Sequence, residues 1–169
     1  MKRPCLSAII LSFVFSIISC SQPGSKKIEQ SSLRPVIIDT SRIAIIPFDQ
    51  ADNWPFDNRF KPSTLSNQEI IEVDSLLKAC VANYNIGLSK NLEEYYSIDF
   101  QKYKYKFQYV AAINGKGEKE VWINGFCNTW DTHWKKEILF VKDGGNCYFN
   151  LKFNLSTKEC FEVAVNGYA

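Results

Sequence analysis

Hydrophobic and polar positions alternate from Cys147 to Leu155. Cys147, Phe149, Leu151, Phe153 and Leu155 fall on one side, and Tyr148, Asn150, Lys152 and Asn154 on the other. A period of two predicts a strand with one buried and one wet face. Gly144 and Gly145 precede this run, and Ser156-Thr157-Lys158 follows it as a turn. Alternation resumes at Phe161, Val163 and Val165, with Cys160 out of phase and facing away, and Asn166-Gly167 ends it. The segment predicts a hairpin with one apolar face. A lone hairpin is marginal in water, so the rest of the chain must supply more strands and a cover.

A second hairpin precedes it. Tyr105, Phe107, Tyr109, Ala111 and Ile113 share one face, and Lys104, Lys106 and Gln108 the other. Asn114-Gly115-Lys116-Gly117 is a turn signal. The return strand carries Val121, Ile123 and Cys127 inward and Trp122, Asn124 and Phe126 outward. A further short strand is expected at Glu137 to Val141. The cover is a helix from Ser66 to Tyr84. Ser66-Asn67-Gln68-Glu69 fits a capping box, and Ile70, Val73, Leu77, Val81 and Tyr84 form a stripe at helical spacing. A short second helix is expected around Asn91 to Tyr96. Two β-branched bursts, Val36 to Ile38 and Ile43 to Ile46, predict an N-terminal strand segment that Pro47 ends or places at an edge. The fold class is therefore α+β: one long helix packed on a curved antiparallel sheet, a cystatin-like arrangement by analogy.

The first residues form a separate module. Lys2 and Arg3 precede an apolar run from Leu6 to Ile18, which is too short to span a bilayer as a helix. Ile17-Ile18-Ser19-Cys20 resembles a bacterial lipobox. That resemblance implies a lipoprotein signal peptide at residues 1–19 and acylation of Cys20, with more than one acyl chain making a stable membrane anchor. Ser21 to Leu33 is polar and rich in Ser, Gln and Lys, so residues 20–33 read as lipidated cysteine and tether. Residues 34–169 then form a single α+β domain. The expected location is the cell envelope, anchored by lipid. Ser21 in place of an aspartate after Cys20 favours the outer membrane.

Charge and cysteine content narrow the function classes. The formal net charge is +2, and Lys2 and Arg3 account for it, so the mature chain is near neutral. Without a basic tract, nucleic acid is not an expected partner. Of the six cysteines, Cys5 leaves with the signal and Cys20 takes lipid, leaving Cys80, Cys127, Cys147 and Cys160. Four exported cysteines allow three pairings, and they can equally stay as buried thiols. A Cys127–Cys147 bridge fits if their strands are antiparallel neighbours.

Three segments, LSNQEIIEVDSLLKACVANYN at Leu65 to Asn85, KEVWINGFCNTW at Lys119 to Trp130, and DGGNCYFNLKFNLSTKE with the terminal VNGYA, resemble a widespread group of bacterial lipoproteins. The resemblance implies a shared fold and transfers no catalytic residue.

Candidate chemistry is sparse. The chain has no nucleophile elbow, phosphate-binding glycine loop or zinc-protease helix motif. Its one histidine, His133, lies six residues after Cys127 in a loop with Trp130 and Trp134, and an envelope enzyme would place its site between the helix and this 128–136 loop. No cofactor or metal set is expected. The preferred reading is a binding module for an envelope protein or small ligand. Its candidate face is the sheet surface turned away from the helix, with Trp122, Asn124, Phe126, Tyr148 and Asn150. Aromatic residues of the 49–62 loop, Trp54, Phe56 and Phe60, are expected to tuck beneath it.

Overall fold

The structure is a computed structural model that describes residues 39–49, 55–129 and 131–168. All of them belong to one compact unit within Pro35–Ala169. Cys20, the tether, the Val36 to Ile38 burst, Trp54 and Trp130 lie outside the described residues. The architecture is α+β, with one long helix and a six-stranded open sheet. A 3₁₀ turn at Thr40–Arg42 leads into β1 (Ile43–Ile45), and β2 is Lys61–Pro62. The helices are α1 (Asn67–Ile86) and α2 (Glu93–Tyr96). Four strands follow: β3 (Lys106–Ile113), β4 (Lys119–Phe126), β5 (Tyr148–Asn154) and β6 (Glu159–Val165). β3 to β6 form an antiparallel meander. β1 joins β3 in parallel on its outer edge, and β2 pairs antiparallel further along the same strand.

Helix α1 starts where its capping box requires. The Ser66 hydroxyl accepts from the Glu69 amide at 3.3 Å, and the Ser66 amide donates back to Glu69 Oε2 at 2.8 Å. Ile70, Val73, Leu77, Cys80 and Val81 face the sheet and pack on Tyr105, Tyr109, Val121, Ile123, Phe149, Leu151 and Phe153. Gly125 on β4 makes room for this layer. A Cβ there would sit 2.4 Å from the Phe149 ring on the neighbouring strand. Asn85 ties the end of α1 to the segment before β3, donating to the Ile98 carbonyl at 2.8 Å and accepting from its amide at 3.0 Å.

Both pairs of remaining cysteines are bridged. Cys127 and Cys147 join just past the β4–β5 ladder, Cα atoms 5.0 Å apart, and Cys127 N–H donates to the Cys147 carbonyl at 2.9 Å. Cys147 itself lies in a 3₁₀ turn (Gly145–Cys147) before β5, and it packs on the sheet face away from α1. Cys80 on α1 joins Cys160 on β6, Cα atoms 6.0 Å apart. Cys160 therefore faces the helix, contrary to the simple alternation. The register against β5 shifts between Asn150 and Lys152, and Glu162 opposite has φ 54°. This bulge adds a residue between Cys160 and Val163, so both face the same core.

Glu69 is shared between the cap and the sheet. Lys119 Nζ on β4 lies 2.6 Å from Glu69 Oε1. That hydrogen bond, followed by those from Ser66, outweighs partial burial and lowers the Glu69 carboxyl to about 2. A folded pKa below the unfolded value stabilises the fold fully above about pH 4.5, and this contribution disappears as pH falls toward 2. Glu69→Gln is expected to cost about 2 kcal/mol at pH 7 and almost nothing at pH 2, measured by urea unfolding.

The two bridges close loops of different size, with sequence separations of 80 and 20 residues. On chain entropy alone the longer contributes about 4–5 kcal/mol and the shorter about 3 kcal/mol. The Cys80→Ala/Cys160→Ala variant should therefore show the larger loss in unfolding midpoint than Cys127→Ala/Cys147→Ala.

Candidate functional site

The sheet face away from α1 is not open. Alternation places Trp122, Asn124, Phe126, Tyr148 and Asn150 on it as expected, but Trp122 is 3% exposed, Phe126 0% and Tyr148 9%. They form a second core with Val110 and Ala112 of β3, Ala44, Ile46, Phe48, Phe56 and Trp134. Asn124 and Asn150 are half-buried at its margin. The candidate binding face is thereby corrected to an internal layer. Its aromatics pack under two irregular covers, one contributing Ile46, Phe48, Phe56 and Phe60 and one at 131–141. Phe56 tucks beneath its loop against Phe48 and Phe60, ring centroids 5.6 and 4.8 Å away.

The second cover is held by amide side chains. Glu137 to Val141 is not a strand, since it lies across a sheet face rather than along an edge and has no ladder partner among the described residues. Buried Gln108 replaces that ladder. Its Nε2 donates to the Trp134 and Glu137 carbonyls, and its Oε1 accepts from Leu139 N–H and Asn124 Nδ2, both at 2.9 Å. Asn124 Nδ2 also donates to the Leu139 carbonyl at 2.8 Å, and Asn166 Nδ2 to that of Val141 at 2.6 Å. Tyr148 Oη donates to the Asn128 carbonyl at 3.0 Å.

Cys127 and His133 cannot act as a nucleophile and base pair, because Cys127 is in a disulfide. The His133 side chain is 67% exposed, with Nδ1 3.5 Å from Asp131 Oδ1. A cleft between α1 and the 128–136 loop does not form, because helix and loop cover opposite faces of the sheet. The loop borders instead a cleft of about 410 Å³ with Thr129, Asp131 and Tyr148 in its wall. Among the described residues, no three His, Cys, Asp or Glu side chains are grouped to hold a metal ion.

A different space is better built. Where α1 meets β1 and the start of β3, a pocket of about 300 Å³ opens. Ile43, Ile71, Leu77, Phe100, Phe107 and Tyr109 make it predominantly apolar, and Asp39, Arg42, Asp74 and Lys78 stand in its wall. The charges are engaged. Lys78 Nζ is 2.6 Å from Asp74 Oδ2, Arg42 Nε donates to the Tyr105 carbonyl at 2.6 Å, and Asp39 Oδ1 accepts from Ser41 N–H at 3.1 Å. Tyr109 differs. The residue is 1% exposed, yet its hydroxyl has no hydrogen-bond partner among the described residues. No unpartnered polar atom there is fully sealed from solvent, so this hydroxyl reaches open space, and the space Tyr109 lines is this pocket. Burial, and then the negative charge of Asp74, raises the phenol pKa and keeps it protonated at neutral pH.

Alternation placed Tyr109 on the helix-facing side, but the pocket depends on the parallel docking of β1, which no local pattern announces. Family models, curated proteins and solved structures provide no match to this chain.

Gln108→Leu keeps the volume and strips two carbonyls and two N–H donors of their partner. It should destabilise the fold by about 3 kcal/mol in urea unfolding. A Trp122→Ala/Phe126→Ala variant should likewise unfold at much lower denaturant, rather than retain a native spectrum as it would with an open face.

Proposed function

We propose that this chain is a lipid-anchored binding module of the bacterial cell envelope, attached through Cys20 and acting through the pocket between α1, β1 and β3. The observation that carries the reading is a predominantly apolar pocket of about 300 Å³, lined by the otherwise buried Tyr109, whose unpartnered hydroxyl reaches open space. A mostly apolar cavity with a few polar groups in its wall is the usual form of a small-molecule site. The two disulfides support an oxidising, exported location, in keeping with the lipobox. The outer membrane and membership of the bacterial lipoprotein group resembled by residues 65–85, 119–130 and 143–169 belong to the same reading. So does the cystatin-like analogy, supported by one long helix against an antiparallel meander. An enzyme is disfavoured because the pocket charges are engaged, Asp74 with Lys78, Arg42 with the Tyr105 carbonyl and Asp39 with Ser41, and the one histidine is exposed in another part of the domain.

The full chain expressed in bacteria should incorporate labelled palmitate and sediment with membranes, and Cys20→Ser should do neither. An unlabelled wild-type chain would remove the anchor. Extracted envelope small molecules should raise the melting temperature of the wild type but not of Ile71→Trp, which fills the pocket. Equal shifts in both would remove the pocket.

A further inference from the structure

We infer that this pocket takes a small uncharged amphiphile, whose apolar body lies on Phe100, Phe107 and Leu77 and whose hydroxyl bridges Tyr109 and the Asp74 carboxylate. The inference rests on the pocket being the ligand site and adds the chemistry of what enters it.

Three observations select this class. First, the wall contains two acidic and two basic side chains, Asp39, Asp74, Arg42 and Lys78, each already engaged. The four charges sum to zero, so a charged ligand would lose its hydration and bring a net charge into a largely apolar space, which is costly. Second, Asp74 and Tyr109 stand in the wall of the same pocket, and no hydrogen bond joins them. Asp74 Oδ2 is committed to Lys78, which leaves its other oxygen as an acceptor. Third, the two groups ask for complementary partners. The phenol offers a proton, and the carboxylate can only accept one. A hydroxyl satisfies both, accepting from Tyr109 and donating to Asp74. An ammonium would leave the phenol proton unpaired, and a carboxylate would meet Asp74 with like charge. The volume of about 300 Å³ holds a bicyclic or short branched body.

Three probes of one shape separate the classes: 1-naphthol, 1-naphthylmethylammonium and 1-naphthoate, titrated into the oxidised domain at pH 7 and followed by amide chemical shifts. Naphthol is expected to bind at least tenfold more tightly than either ion, moving the amides of Leu77 and Tyr109. Tyr109→Phe and Asp74→Asn should each weaken naphthol about 5–10-fold. Circular dichroism checks both folds, and the Asp74 variant, at a side chain 40% exposed, serves if the tyrosine variant is unstable. Tighter binding of either ion, or unchanged naphthol affinity in the folded variants, would overturn the ligand class. If Ile71→Trp still abolishes that binding, the pocket stands as a site. Failure of all three probes to move pocket amides would overturn both.

Discussion

Covering a sheet face with irregular chain is possible only if every buried backbone group finds a partner, and Gln108 meets much of that demand here. An unpaired N–H or C=O in an apolar layer costs as much as several buried methylenes contribute. Gln108 projects from the middle of β3 into the second core and answers two carbonyls and one N–H of the covering segment, with Asn124 completing its fourth valence. Trp134 can therefore pack on Phe126 at 5.5 Å while the chain around it follows no ladder. The aromatic layer and the amide clamp depend on each other. The layer excludes water from the amide, and the amide lets the layer be closed.

The other face is secured by different means. Helix α1 satisfies its own backbone, so only its position must be fixed. Apolar burial does most of this, and charge and covalent links set the orientation. Glu69 reaches Lys119 near the start of the helix, Glu72 pairs with Lys158, and Cys80 is bonded to β6. The last of these also governs the sheet edge. Among the described residues β6 has no strand beyond it, and an exposed edge invites pairing with another chain. The bulge at Phe161 and Glu162 and the bridge to α1 bend that edge and hold it to the domain.

Elements with a strong local period were legible in the sequence. The alternations of β3, β4 and β5 assigned their faces, and Ser66 with Glu69 marked the start of α1. What the pattern could not convey was occupancy of a face. Trp122, Phe126 and Tyr148 lie on the predicted side, but alternation is the same whether that side meets water or a folded loop. Gln108 illustrates the difficulty: read along the strand it is a polar residue on a wet face, and only tertiary contact makes it the polar centre of a core. Cys160 illustrates another, since a single bulge residue reverses a face assignment that alternation makes with apparent certainty.

The position of the pocket follows from the same division of labour. Away from α1, loops were free to adapt to the sheet, and amides sealed what remained. On the helix side, a straight cylinder meets a sheet whose outer strand, β1, is only three residues long. The two surfaces diverge at that corner, and no irregular segment among the described residues fills the gap. Phe100 and Phe107 reach into it from the sheet side, their ring centroids 6.3 Å apart, while Ile71, Asp74 and Leu77 bound it from the helix. A wholly apolar filling would close such a gap. Tyr109 instead places a hydroxyl where phenylalanine would fit, with Asp74 in the same wall, so the corner keeps polar groups on an otherwise apolar surface.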